Sequence, residues 1–213
     1  MATPTTAAEI LSISTALLAA GGIATLSLFD VPELQSQPAS RSLPSIRWLF
    51  SRGSHIFPTA AAVSSAGFLY LAYAARPATS LQLTQLLQHG RVPGYLAAAI
   101  LTFSIGPVTS LMVPTNFRLI QMNEERGSAR SEKSAKQGAT SGGARSAEES
   151  VEGKGQASQF TDLSGPQGKA EKSSTQAEDE EVRELLGKFG RMNAGRAVLM
   201  AAGGIVGLAT ALA

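Results

Sequence analysis

The stretch AGRAVLMAAGGIVGLATALA, Ala194–Ala213, decides the fold. It carries no charge after Arg196. A helix of a soluble bundle needs a polar face opposite its apolar stripe, and this stretch offers none. Its length matches the roughly 20 residues that cross a bilayer as a helix. Three more stretches of that kind lie upstream: Ala7–Phe29, His55–Ala75 and Tyr95–Val113, with Ala194–Leu212 the fourth. Hydrophobic residues make up 44% of the 213 residues, which is ordinary for a globular chain. Their clustering is not, and it predicts an all-α, four-helix transmembrane bundle. Glu9 and Arg196 are the charges inside these spans. The first span has no basic residue before it, since the first Lys or Arg is Arg41, so it is expected as a retained helix and not a cleaved leader.

The chain divides into three parts. Residues 1–123 hold three spans with short connections, residues 124–177 a polar insert, and residues 178–213 an amphipathic lead-in helix continuous with the fourth span. The first connection, Asp30–Ser54, holds Pro32, Pro38, Pro44 and Trp48, a residue type suited to the membrane–water boundary. The second, Arg76–Gly94, predicts a short surface helix from Thr79 or Ser80 to Gly90. Tyr70, Tyr73 and Tyr95 mark the aromatic belt on that side. The insert is mostly Gly, Ser, Ala, Lys, Glu and Gln; Val151, Phe160 and Leu163 are its larger apolar residues. Such a segment buries too little apolar surface to offset its chain entropy, so disorder is expected and no active site. In the lead-in helix Val182, Leu185, Leu186, Phe189 and Asn193 follow helical spacing, which puts Phe189, Asn193 and Arg196 on one face. Gly203 and Gly207 form a Gly-x-x-x-Gly pair that permits close helix packing.

Charge sets the expected orientation. The second connection carries only Arg76 and Arg91, the first Arg41, Arg47 and Arg52, and the third all remaining Lys and Arg. The positive-inside rule then places the first and third connections in the cytosol. Trp48, His55, Asn116, Arg118, Asn193 and Arg196 fall at cytosolic helix ends, with His89 roughly 30 Å away across the membrane. Two histidines so separated do not share a metal or haem. There is no cysteine, so disulfides, thiol nucleophiles and cysteine metal sites are excluded. A net charge of +2 and the absence of any basic motif argue against nucleic acid. No Ser-His-Asp set, phosphate loop or dinucleotide fingerprint occurs.

What remains is one histidine, two amides and two guanidinium groups, with Asn116 in Val113-Pro-Thr-Asn-Phe-Arg118 and Asn193 in Arg191-Met-Asn-Ala-Gly-Arg196. An ordinary imidazole, with a pKa of about 6.5, suits proton transfer near neutrality. Each group also has a plain structural role open to it. His55 serves equally as an interfacial histidine, Asn116 as a helix cap, Asn193 and Arg196 as lipid headgroup contacts, and Trp48 as a belt residue.

At these residues the chain resembles the fungal anthrone oxygenase family, small four-span membrane proteins carrying a domain long catalogued as of unknown function. The matching pieces are the Gly-rich first span, Trp48 with Arg52-Gly53 and Pro58, Pro114-Thr115-Asn116, and Leu185-Leu186 through Arg191, Asn193 and Arg196. Family members often have Trp where Phe189 stands and His where Asn193 stands. The resemblance implies oxidation of a polyketide anthrone such as emodin anthrone at C10 to the anthraquinone with O2. It also implies no bound cofactor, and membership of a secondary-metabolite pathway in the endoplasmic reticulum membrane. It assigns His55 as base, with Asn116, Asn193 and Arg196 holding the oxyanion or phenol. Trp48, Thr115, Arg118 and Phe189 then form the substrate-binding set. Two other readings stay open: a non-enzymatic four-span scaffold, and a small transporter using a kink at Pro107.

Overall fold

The computed structural model describes residues 3–77, 90–138, 145–153 and 156–213. The described residues are helical, without strands. Helix α1 (Pro4–Thr25) runs into a π-helical turn (Leu26–Asp30) and then α2 (Val31–Gln35). Helix α3 spans Ala39–Ala74, α4 Val92–Phe103 and α5 Ile105–Glu125. Two short helices, α6 (Glu132–Lys136) and α7 (Ala147–Glu152), precede the long α8 (Gln176–Leu212). Four helical runs are long and apolar enough to cross a membrane: Pro4–Gln35, Ala39–Ala74, Val92–Glu125 and Gln176–Leu212. The surface helix expected over Thr79–Gly90, and His89 with it, lies outside the described residues apart from Gly90.

The helices extend past the apolar stretches that announce them. The connection expected at Asp30–Ser54 is largely helical, because two of its prolines sit where helices tolerate them and the bond lost at the third is replaced from elsewhere. Pro32 occupies the first turn of α2, and Pro38 precedes α3. Pro44 stands inside α3 and has no N–H to give the Ser40 carbonyl. That carbonyl instead accepts the Ala170 N–H at 2.7 Å. The third run changes helix at Ser104, three residues before Pro107, whose missing N–H removes one rung of the ladder. It then continues through Pro114 to Glu125, so Asn116 lies within a helix and is not an end cap.

By contacts the chain falls into two units. The first comprises 1–25, 57–110 and 193–213; the second comprises 26–56 and 111–192. In the first, Ala16, Ala20, Ile23, Phe68, Tyr95, Ala98 and Met200 form the buried cluster. Its polarity is reversed relative to a soluble bundle. Ser12, Ser64, Ser65 and Thr102 are buried, while Leu18, Ile100, Val198 and Ile205 are exposed. Ser65 and Thr102 hydrogen-bond at 2.8 Å, joining α3 to α4. Glu9 accepts the Tyr95 hydroxyl at 2.6 Å and lies 3.9 Å from the Arg91 guanidinium, which answers the cost of an acid in a span. Large apolar side chains turned outward over a small, partly polar interior suit lipid and not water, so the soluble alternative is removed.

In the second unit Val31, Leu43, Ile46, Leu119, Val182 and Leu186 are buried. The insert, whose composition argues for an unfolded tether, contributes structure here among its described residues. Ser131 caps α6, and Ser146 and Glu149 form a capping box on α7, which Gly153 ends in the left-handed conformation. Polar contacts do the work that its composition denies to apolar burial. Arg47 of α3, 3% exposed, donates to the Ser150 carbonyl at 2.8 Å, and Arg130 donates to the same oxygen at 3.0 Å. The buried Glu124 carboxylate accepts from Arg145 and from the Ser150 hydroxyl.

Candidate functional site

The eight residues singled out by sequence divide between the units. Asn193 and Arg196 belong to the first. On α8 they stand three apart, hence on one face. The Asn193 side chain is fully buried. Its Nδ2 donates to the Ile23 carbonyl at 3.0 Å, and its Oδ1 accepts Arg196 Nη1 at 2.9 Å. Ile23 lies just before the π turn, where the helix changes from four-residue to five-residue hydrogen-bond steps and carbonyls leave the regular ladder. Arg196 is 7% exposed, and its Nε has no hydrogen-bond partner among the described residues. A buried guanidinium with one N–H uncommitted is able to donate to an anionic or carbonyl oxygen.

Trp48, His55, Thr115, Asn116, Arg118 and Phe189 belong to the second unit. Trp48 Nε1 donates to the Ser164 carbonyl at 2.9 Å. The half-buried His55 ring lies 4.8 Å from the Phe160 ring, tilted by 49°. Its Nδ1 is buried without a hydrogen-bond partner among the described residues, and so is Asn116 Oδ1. Thr115 is buried beside Asn116. Phe189 is buried in an edge contact with Phe50, centroids 5.1 Å apart, and serves the packing of the unit. Arg118 is spoken for: Nε donates to Glu181 at 2.8 Å on the exposed surface. The pair commits both Nε and Nη2 to Glu181 Oε1.

Sequence reasoning gave no site role to the groups around Trp48 and His55. Arg52 donates to the carbonyls of Gln159, Asp162 and Ser164, and its guanidinium lies 5.1 Å from the Trp48 ring centroid. Asp162, 3% exposed, accepts from the Ser131 hydroxyl and from the Ser164 N–H and hydroxyl. Burial pushes its carboxyl up, but these hydrogen bonds and the nearby Arg52 charge outweigh burial and hold it below the usual range. The signals in the sequence were Arg52-Gly53 beside Trp48 and Phe160 itself, a large aromatic residue in a stretch nearly devoid of them. Among the described residues no three His, Asp or Glu side chains are grouped to hold a metal ion.

A family model for anthrone oxygenase matches residues 47–206. The chain belongs to the anthrone oxygenase family. Membership makes the protein an oxygenase, and the four apolar helical runs make this family member a multi-pass membrane protein. The match opens at Arg47, one residue before Trp48, and takes in every candidate site residue. The Gly-rich first span lies outside it, so the anthrone oxygenase signal resides in the later three runs and the insert. No curated protein and no solved structure matches the chain.

Proposed function

We propose that the protein oxidises a polyketide anthrone, such as emodin anthrone, at C10 to the anthraquinone. Molecular oxygen is the oxidant, no cofactor is bound, and the setting is secondary-metabolite biosynthesis at the endoplasmic reticulum membrane. The observation that carries this reading is the buried Nδ1 of His55, with no partner among the described residues and an aromatic ring beside it. A ring nitrogen with no hydrogen-bond partner is open to accept a substrate proton. The C10–H bond of an anthrone yields such a proton, since the resulting anion spreads over both outer rings onto the C9 oxygen.

His55 takes the C10 proton. The anion passes one electron to O2, and the two radicals combine to form the C10–O bond. The peroxide oxygen takes a proton back from His55. Loss of the second C10 hydrogen as a proton breaks the O–O bond, leaving C10=O and water. One oxygen atom enters the quinone, the other leaves as water with the two methylene hydrogens, and the substrate is its own reductant.

Asn116 Oδ1, buried and uncommitted, is assigned to accept a substrate phenol O–H. Arg196 belongs to the other unit and takes no step in this mechanism; its uncommitted Nε is a donor suited to an anionic oxygen. Asn193 has both ends of its amide engaged, so it is a positioning residue for Arg196. An apolar tricycle reaches the protein from the lipid.

The test is oxygen uptake by membranes bearing the chain, supplied with emodin anthrone after chelation and removal of small molecules. Quinone formation above the spontaneous rate is expected, falling at least about 100-fold in His55→Ala. Wild-type turnover in His55→Ala removes the base. No rate above background with several anthrones, from folded protein, returns the chain to the four-span scaffold reading.

A further inference from the structure

Trp48, Arg52 and His55 lie at i, i+4 and i+7 on α3, one face of one helix. What covers that face comes from the insert. Arg52 alone reaches three carbonyls of a six-residue segment, those of Gln159, Asp162 and Ser164. Trp48 Nε1 takes the Ser164 carbonyl as well. From the segment's own side, Asp162 gathers the Ser131 hydroxyl, the Ser164 N–H at 2.9 Å and the Ser164 hydroxyl at 2.7 Å. The backbone of Gln159–Ser164 is therefore pinned at several points, and the pinning sets the Phe160 ring 4.8 Å from His55.

Burial does not explain that placement, because Phe160 remains 71% exposed. Its ring contact with His55 is within the usual range for aromatic pairs, and little apolar area is lost if the ring turns aside. Only side-chain rotation is needed, since none of the hydrogen bonds that pin the segment involves the Phe160 side chain. A flat aromatic molecule entering against His55 offers Phe160 a larger π face than the imidazole does.

We propose that Phe160 is a wall of the substrate site at His55, selecting flat aromatic substrates, and that Arg52 is the positioning residue holding it there. The proposal rests on the oxygenase reading for the class of ligand, a flat phenolic tricycle. It does not rest on His55 being the base. The insert, by this account, contributes a specificity element.

Trp48 is the only tryptophan in the chain and is bonded to the same segment, so its emission reports both the segment and the ligand. The experiment titrates the purified full chain in detergent micelles with 1,8-dihydroxyanthraquinone and follows quenching of Trp48. Phe160→Ala, at an exposed position that folding does not need, is expected to weaken probe affinity about five- to tenfold, and Phe160→Tyr to stay within about twofold. Arg52→Ala is expected to weaken it by a similar factor and to shift Trp48 emission to longer wavelength before any probe is added. Arg52→Lys keeps the charge but loses the fork, and is expected to fall between. The double variant is expected to lose no more than either single, because Arg52 acts through Phe160. With an anthrone as substrate, KM rises in Phe160→Ala by the same factor as probe affinity falls, while kcat stays within about twofold. Wild-type probe affinity in Phe160→Ala overturns the proposal, as does full additivity in the double variant. Loss of turnover in His55→Ala with probe affinity kept upholds the base, while the Phe160 titration decides the wall. Turnover kept in His55→Ala removes the base and leaves the wall to the titration.

Discussion

Asn193 shows what an amide does inside an apolar span. Its donor end serves the Ile23 carbonyl and its acceptor end serves Arg196, and the whole side chain is buried. Replacing it with Leu removes both bonds while keeping the branched shape. The cost expected is about 1–3 kcal/mol, since the buried Arg196 guanidinium loses this acceptor. A lower thermal midpoint in detergent than wild type checks this, and an unchanged midpoint means the amide carries neither partner. Asn193→His is expected to keep more stability than Asn193→Leu, because a neutral imidazole also presents one donor and one acceptor. Asp162 gives the pH dependence at this scale. Its folded pKa lies below the ordinary 3.8, after hydrogen bonds and the Arg52 charge overcome burial. A depressed carboxyl contributes stability that is complete above its unfolded value and is lost as pH falls through the folded value. Acidifying below about pH 4 should therefore release the Gln159–Ser164 segment and red-shift Trp48 emission. Asp162→Ala should show the shifted emission already at pH 7, with no further acid step. A wild-type acid profile in Asp162→Ala would refute the assignment.

At the scale of the element, glycines on α8 decide how closely helices approach. A Cβ on Gly207 would lie 2.3 Å from the Phe68 ring, and one on Gly203 would lie 2.6 Å from Thr102 and 3.1 Å from the Ala98 carbonyl. Phe68 is fully buried and has nowhere to retreat. Gly207→Ala is expected to cost about 1–3 kcal/mol by overpacking, and Gly203→Leu more, because it also meets backbone. Gly195, with open space around a new Cβ, is the control: Gly195→Ala should leave the thermal midpoint unchanged or raise it. Equal midpoints for Gly207→Ala and Gly195→Ala would count against close packing at Gly207. The Gly-x-x-x-Gly pair was visible in the sequence, but its neighbours were not, because spacing says nothing of which helix comes near. Element ends were hidden for a related reason. Hydropathy marks where lipid lies, whereas helix ends are set by polar partners far along the chain. Thus α3 begins at Ala39, whose N–H finds the Asp179 carboxylate at 2.7 Å, sixteen residues before its apolar stretch opens at His55.

For the whole molecule, the spans were the legible part, since uncharged 20-residue stretches have one physical use. The site was legible only as residue types: His55, Asn116 and Arg196 were chosen because ionisable and amide groups near hydrocarbon need a reason. Sequence order did not disclose that Arg118 is paired with Glu181 or that the insert reaches Trp48, Arg52 and His55. Composition measures apolar burial, and the insert is held by carbonyls and hydroxyls instead. The crossing number itself remains a physical claim that the chain makes easy to check, because it has no native cysteine. Gly168 lies in open space in the insert and Ala213 follows the end of α8. Helix α8 is continuous over Gln176–Leu212 and has no charged residue after Arg196, so it is expected to carry the chain across the bilayer between these two positions. Single-cysteine chains Gly168→Cys and Ala213→Cys, in sealed vesicles of one orientation, are then expected to react oppositely with a membrane-impermeant maleimide. The abundance of Lys and Arg in the third connection places Gly168 on the cytosolic side. Labelling of both positions from the same side would mean that α8 does not cross, and would leave its exposed Val198 and Ile205 in need of a protein partner instead of lipid.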